Sequence, residues 1–306
     1  MSSTSQLKKL IRDFEQRQPI RAGSLIMTVY GDAIAPRGGT VWLGSLINLL
    51  EPLGLNGRLV RTTISRLSKD NWLAANQVGR KSYYSLTASG RKRFQSATPR
   101  IYAGPQTDWD GTWCLVFLPG HLKQKKDTLR RELGWLGFGN LAAGLLAHPN
   151  PDMGALKQTL ELNEVQDEAI ILNKARHNLT SGKALDKLVH ECWDLADLSQ
   201  HYHDFLLRYR PVYKSLKESP LSSDEECALL RILIIHDYRK ILLRDPLLPT
   251  GLLPAQWEGT SAHQLCRNIY LLLLDGSERF FSQNLETADG PLPAPSAIFY
   301  QRFGGL

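Results

Sequence analysis

The sequence predicts an α+β chain in three parts: a basic part over 1–99, a small layered α+β part over 100–181, and an all-helical part over 182–306. Three observations carry that reading. Residues 1–100 hold 16 Lys and Arg against 5 Asp and Glu, a balance of +11, whereas 101–306 hold the other 21 and 25, a balance of −4. Residues 56–85, NGRLVRTTISRLSKDNWLAANQVGRKSYYS, pass from helical apolar spacing to two short strand-like runs. Between 100 and 180 apolar runs alternate with helical stretches in the order β-α-β-α-β, and beyond 182 only helical spacing recurs.

Residues 4–18 read as a short charged amphipathic helix or an arm. A first core helix comes next over 24–33, with Leu25, Ile26, Val29 and Tyr30 as its apolar positions. Pro36-Arg37-Gly38-Gly39 is a loop, from which Arg37 either reaches a phosphate or lies exposed. Residues 41–50 form a mostly apolar helix closed by Pro52 and Gly54. A turn over 51–56 leads to a second helix, with Asn56-Gly57 as turn and N-cap.

On that second helix Val60, Ile64 and Leu67 lie at i, i+4 and i+7 and share one face. At about 100° per residue, Arg58, Thr62, Arg66 and Lys69 fall on the opposite face, with Ser65 at its edge and Arg61 on the flank. No acid appears there until Asp70. A helix of this kind fits the major groove of B-DNA, where Arg pairs with guanine edges and hydroxyls take base edges or phosphates. A solvated basic face is the plainer alternative for the helix alone. Residues 72–86 shift the balance toward the first reading, with an ordinary surface hairpin as their own plainer alternative. Trp72-Leu73-Ala74 starts a strand, 82–86 is its partner, and Val78-Gly79-Arg80-Lys81 places two cations at a tight turn. A basic helix followed directly by a hairpin with a cationic tip is a winged helix-turn-helix. The expected contacts are Arg58, Thr62, Ser65, Arg66 and Lys69 in the major groove, Arg61 bracing the backbone, and Arg80 and Lys81 on phosphate or in the minor groove. Thr87 caps a further helix carrying Arg91, Lys92 and Arg93, and Pro99 ends this domain.

In the central part 113–118 (WCLVFL) is a strand, 122–135 a helix rich in Lys and Arg, 141–147 a second strand, 152–162 a helix capped by Asp152, and 169–173 a third strand. This is a ferredoxin-like arrangement of helices on a sheet. Its glycines match neither a phosphate loop nor a dinucleotide fingerprint. In the last part Leu185, Leu188, Val189 and Cys192 make one apolar stripe, followed by Tyr202, Phe205, Leu206 and Tyr209. Asp224-Glu225-Glu226 favours a helix N-terminus. DPLLPTGLLPAQW is a proline-punctuated strap, a last helix spans about 261–281, and the apolar tail PLPAPSAIFYQRFGGL docks on the body.

Composition excludes several classes. No stretch approaches the roughly 20 apolar residues of a membrane span, and the N-terminus has no signal-peptide core, so a cytoplasmic protein is expected. Cys114, Cys192, Cys227 and Cys266 are scattered, which argues against a zinc ribbon or a disulfide framework; no metal is expected. There is no nucleophile elbow, no HExxH and no kinase signature, so no catalytic residue is assigned. His201 and His203 lie about 200° apart on a helix and do not chelate one metal readily. Two alternatives remain open: an enzyme acting on CoA thioesters, and an RNA-binding protein.

The whole chain resembles the PaaX family, repressors of bacterial phenylacetic acid degradation operons. The resemblance is carried by SLIMTVYGDAIAPRGGTVWLGSLINLLEPLGLNGRLVRTTISRLSKDNWL, VGRKSYYSLTASG, WDGTWCLV, ELGWLGFG, HDYRKILLRDPLLPTGLLPAQWEG and the terminal FYQRFGGL. It implies a transcriptional repressor of phenylacetate catabolic genes that binds double-stranded operator DNA of palindromic sequence as a homodimer. It also implies phenylacetyl-CoA as the effector that releases the DNA, with no cofactor and no membrane partner. A CoA thioester calls for cations at its phosphates and an apolar slot for its ring. The densest such cluster outside the winged part is His236, Tyr238, Arg239, Lys240 and Arg244, followed by Trp257; Arg208 and Arg210 around Tyr209 are a second candidate. Structural ion pairs are the plainer reading of both.

Overall fold

The computed structural model describes residues 2–17, 21–105, 108–122, 125–176 and 182–306. The sequence expectations at Gln18, Lys123 and Gln124 fall outside that set.

Helix α1 (Ser3–Glu15) is capped by the Ser2 hydroxyl and buries Leu7, Leu10 and Phe14. Helix α2 (Ala22–Val29) continues through a π turn (Tyr30–Ile34) and a 3-10 turn (Ala35–Arg37). Leu25, Ile26, Val29 and Tyr30 are fully buried, as their spacing predicts. Strand β1 (Thr40–Trp42) precedes α3 (Leu43–Leu50). The predicted helix over 41–50 therefore starts later than expected: Val41 is taken by a strand, where it pairs with Tyr84. Helix α4 (Gly57–Lys69) comes after a 3-10 turn (Glu51–Leu53), and its first turn is closed by Asn56, whose side chain accepts from the Leu59 amide. Strands β2 (Leu73–Val78) and β3 (Lys81–Leu86) form the hairpin, and β1 adds a third strand in the order β1-β3-β2. Helix α5 (Ala88–Tyr102) is capped by Thr87 and runs straight through Pro99, which does not end it. Proline at this position removes the bond to the carbonyl of Gln95, an exposed residue that water can satisfy.

The central sheet holds β4 (Thr112–Phe117), β5 (Gly139–Ala142), β6 (Leu145–His148) and β7 (Ile170–Arg176), in the antiparallel order β5-β6-β4-β7. Helices α6 (Lys126–Trp135) and α7 (Met153–Leu162) connect them, and Asp152 caps α7 as expected. The one strand predicted over 141–147 is a hairpin: Gly144, at φ +84°, turns the chain back. With that strand split, the order becomes β-α-β-β-α-β, the ferredoxin-like pattern. Cys114, Val116, Leu129, Leu133, Leu146, Leu156 and Leu160 form its core.

Beyond lie α8 (Gly182–Cys192), α9 (Leu195–Glu218), α10 (Asp224–Leu242) and α11 (Glu258–Asn284), then a short hairpin of β8 (Glu286–Thr287) and β9 (Gly290–Pro291), and a terminal 3-10 segment (Ala297–Gly304). The chain gathers into two compact units, one of Met1–Gly104, Asp204–Arg239 and Ala262–Leu306, the other of Pro105–His203 and Lys240–Ser261. The stretch from 182 is thus shared between the two units, whose boundaries within it fall inside α9, α10 and α11.

The first unit is built around a buried charge cluster. Asp32, on the π turn, accepts from Arg231 of α10 at 2.7 Å, from Arg302 of the tail at 2.9 Å and from the hydroxyls of Tyr102 and Tyr270 at 2.6 and 3.1 Å. Arg231 also bonds Ser277 and Glu278 of α11. Arg37 is neither exposed nor set for a phosphate: it is buried against Glu278, the Ala33 carbonyl and the Phe299 ring. Burial alone would raise the Asp32 carboxyl, but Arg231, Arg302 and the Tyr102 hydroxyl outweigh it and hold it below its ordinary range. The tail docks as predicted, through Phe299, Arg302 and Phe303.

A second cluster holds α1. Arg17 grips Asp237 of α10 with two bonds of 2.6 and 3.0 Å, and Arg208 and Tyr209 of α9 add to it. Burial works to raise the Asp237 carboxyl; Arg17 above all, with His236 and Arg208, holds it down at about 2.

Two outcomes are expected. Asp32→Ala leaves two guanidiniums buried without their shared acid and costs about 3–5 kcal/mol in denaturant unfolding; a loss below about 1 kcal/mol contradicts the central role of the cluster. Asp237 is depressed in the folded state, so its contribution is present above the ordinary carboxyl value of 3.8 and lost as pH falls toward 2. The stability gap between the protein and its Asp237→Asn variant should therefore shrink between those values, and parallel pH profiles would rule this out.

Candidate nucleic-acid interface

The sequence of α4 sorts its residues by face. Val60, Thr63, Ile64 and Leu67 are buried, whereas Arg58, Arg61, Thr62, Ser65, Arg66 and Lys69 are all exposed. Its buried face rests partly on α2, where Gly23 gives room: a Cβ there would meet Arg66 Nη2 at 3.3 Å and the Thr63 methyl at 3.6 Å. Arg66 thus leans toward α2, and Arg61 folds back over Gly57. Thr62 donates its hydroxyl to the Arg58 carbonyl at 3.0 Å, leaving its lone pairs outward.

Among the described residues, none of Arg58, Arg61, Arg66, Lys69 and Arg80 lies within 4.0 Å of a carboxylate. That sets them apart from Arg17, Arg37, Arg231, Arg279 and Arg302, each paired with an acid. Exposed cations with no carboxylate beside them suit a polyanion.

The hairpin has the predicted register. Val78 opposes Lys81 across a two-residue turn of Gly79 and Arg80, and Gly79 sits at φ +60°. Arg80 is exposed at the tip. Lys81 is not: its ammonium is held by both Glu286 oxygens at 2.7 and 2.8 Å and lies 4.4 Å from the Trp42 ring centre. Tyr83 donates to the same Glu286. Lys81 therefore fastens the hairpin to the β8 hairpin, and Arg80 is the cation left at the tip.

The predicted effector cluster is divided. His236, Tyr238 and Arg239 belong to the first unit, Lys240, Arg244 and Trp257 to the second. His236 is a core residue, 3.1 Å from the Thr28 hydroxyl and edge-on to Phe14. Tyr238 packs between Phe205 and His263. Arg244 bonds His201 at 3.1 Å, and Trp257 meets Tyr202 edge-on. Lys240 is exposed. Arg239 alone of the first three borders a cleft. The Arg208–Tyr209 candidate is the structural ion-pair network on Asp237; Arg210 is exposed. Sequence reasoning missed Trp72 and Asp32 as organising residues. An acid inside an apolar helix, as in YGDAIAP, was the available signal for Asp32.

No group of His, Cys, Asp and Glu among the described residues is arranged to hold a metal ion. No helix among them is long and apolar enough to cross a membrane. Cys114, Cys227 and Cys266 are buried and unpaired, and burial pushes the Cys114 thiol up to about 11, which leaves it inert.

Comparison with known proteins covers nearly the whole chain. Residues 21–90 match the family described as PaaX-like protein, 106–185 the PaaX protein central Cas2-like domain, and 193–283 the PaaX-like protein C-terminal domain. The transcriptional repressor PaaX of Escherichia coli (strain K12) is 40% identical over 303 residues, 99% of this chain and 96% of that protein. A solved structure, the uncharacterized protein Rv0674 from Mycobacterium tuberculosis, superposes with a TM-score of 0.53 at 21% identity, over 84% of this chain and 97% of that one, and shares the fold.

The geometry of α4 separates two kinds of contact. Arg58 lies at the N-terminal end of the helix, the end such helices bring to base edges. Arg58→Ala should lower affinity for a specific duplex by about 1–3 kcal/mol more than for random duplex, whereas Arg80→Ala should weaken both alike and reduce the salt slope by about 1. Equal losses on both duplexes for Arg58→Ala would count against groove reading.

Proposed function

The chain belongs to the PaaX family and is a PaaX-type transcriptional repressor, not an enzyme; from that premise we propose that it represses phenylacetate catabolic genes in the cytoplasm by gripping a palindromic operator as a homodimer, and that phenylacetyl-CoA releases it. The observation that carries the DNA half of this reading is the exposed face of α4, whose cations have no acid beside them among the described residues. With α3 before it and the β2–β3 hairpin after it, α4 is the recognition helix of a winged helix-turn-helix, and Arg80 is the wing's phosphate contact. Two copies would place their recognition helices about one helical turn of DNA apart, roughly 34 Å, matching the two halves of a palindrome. The effector half rests on the kinship with phenylacetate repressors: phenylacetyl-CoA signals that the substrate has been taken up and activated, whereas phenylacetate does not. The protein needs no cofactor for either step.

A DNA-binding titration on promoter regions of phenylacetate genes tests this directly, with phenylacetyl-CoA, free phenylacetate and no addition. Specific binding abolished by the thioester alone is expected. Binding indifferent to the thioester removes the effector; absence of specific binding at moderate salt removes the operator.

A further inference from the structure

The first unit contains a cleft bordered by α2, the π turn, α5 and α10. Its walls are apolar where Met27, Phe94, Ile101 and Ile235 face it. Asp32 reaches its edge, but that carboxylate is taken by Arg231 and Arg302. The charges left to the cleft are Arg239 and, at its mouth, Arg93. Arg239 is half-buried, it touches the Ser24 carbonyl and hydroxyl at 3.5 Å each, and among the described residues it has no carboxylate within 4.0 Å. Arg37, Arg231 and Arg302 are fully buried, and each has an acid at hydrogen-bond distance. A half-buried cation with two long contacts has donors to spare, and an oxygen acceptor brought from outside would use them. Arg93 marks the solvent side: it is exposed on α5 and stacks over Trp72 at 4.5 Å.

The free space is about 40 Å³, whereas a cavity that takes benzene measures about 150 Å³. An aromatic ring enters only if the walls part, and the wall that can give is Trp72, half-buried and edge-on to Phe94 at 5.9 Å. Trp72 is also the junction of the DNA-binding elements. Its amide closes the end of α4 on the Leu67 carbonyl at 2.9 Å, its carbonyl accepts from the Thr87 amide at 3.1 Å, and β2 begins at the next residue. Gly90 gives that carbonyl its room, since a Cβ there would lie 2.3 Å from it.

We propose that this cleft is the acyl-binding site, taking an arylacetyl group with its ring between Phe94, Ile101 and Ile235 and its carbonyl oxygen on Arg239, and that Trp72 carries its filling to the root of the wing. The inference rests on the acyl-CoA effector reading and goes beyond it in naming the site and the lever. The thioester's nucleotide end passes Arg93 to solvent.

The test is calorimetric titration of the full chain with phenylacetyl-CoA, CoA serving as control, for the unaltered protein and for Arg239→Gln and Ala97→Phe, the latter filling the cleft from α5. Hydrogen exchange of the unaltered protein with and without the thioester accompanies it. At least a tenfold loss of affinity in both variants is expected, with α5 and the Trp72 junction changing exchange rate on binding. Tight binding by the unaltered protein with undiminished binding by both folded variants overturns the cleft and leaves the effector standing. Binding with no exchange change at α5 or Trp72 overturns it also, even where the variants fail to fold. No binding by the unaltered protein overturns both the cleft and the effector.

Discussion

Asp32 is the constraint on which the first unit depends. It sits in the middle of an apolar helical run, fully buried, where an isolated carboxylate would cost far more than the helix gains from its neighbours. The chain meets that cost by drawing in groups from the rest of its length: Tyr102 from α5, Arg231 from α10, Tyr270 from α11 and Arg302 from the tail. Asp32 is the acid the two arginines share, and each has a second attachment, Arg231 to Glu278 and Arg302 to the Gly31 carbonyl. The cluster couples the N-terminal helices to groups 199, 238 and 270 residues further along the chain. The cations of α4 inherit their orientation from this. α4 rests on α2 at Gly23, and α2 runs directly into the turn that carries Asp32.

The arginines divide into two populations with opposite physics. Those in the core are neutralised by acids and aromatic faces; Arg302, for example, lies 4.0 Å from the Tyr102 ring centre. Those on α4 face water with no acid beside them among the described residues, which suits them to a polyanion. Lys81 stands between the two. Paired with Glu286, it anchors the β2–β3 hairpin, and Arg80 stands exposed at the hairpin tip.

Much of this was legible in the sequence where a local rule decides the outcome. The faces of α4 come from the spacing of Val60, Ile64 and Leu67; the hairpin comes from Gly79 between two strand runs; Asp152 announces α7; and an apolar tail does not stay in water. What was illegible depends on partners distant in sequence. Arg37 looks like a loop cation until Glu278 appears beside it. Val41 looks helical until β3 offers it a strand. The run 141–147 looks like one strand because Ala143 and Gly144 are too short a break to register against its apolar neighbours. Pro99 looks like a terminator, although the helix loses a single bond at a carbonyl that water can reach. Closeness in sequence at 236–257 likewise hides different surroundings: His236 and Tyr238 pack in the core, whereas Arg239 borders a cleft.

The small size of the cleft bears on how a ligand could act at all. A ligand moves a conformational equilibrium only by its difference in affinity for the two states; equal affinity shifts nothing, however tight. A preformed pocket of full size would accept an aryl ring in the DNA-binding form as readily as in the released one. With a free space of about 40 Å³, a ring would be admitted only after the walls part, so on the proposed reading its binding would favour the parted form. The displaced residue then matters more than the distance between sites. Trp72 holds the end of α4 through its amide and the start of α5 through its carbonyl, with the wing beginning at its neighbour. Those are short backbone bonds between packed elements, which shift together or break and do not deform gradually. On the proposed reading, a ring that turned Trp72 aside would disturb α4 and the β2–β3 hairpin together, and the α4 face and Arg80 would lose the joint alignment that a groove contact and a phosphate contact both need.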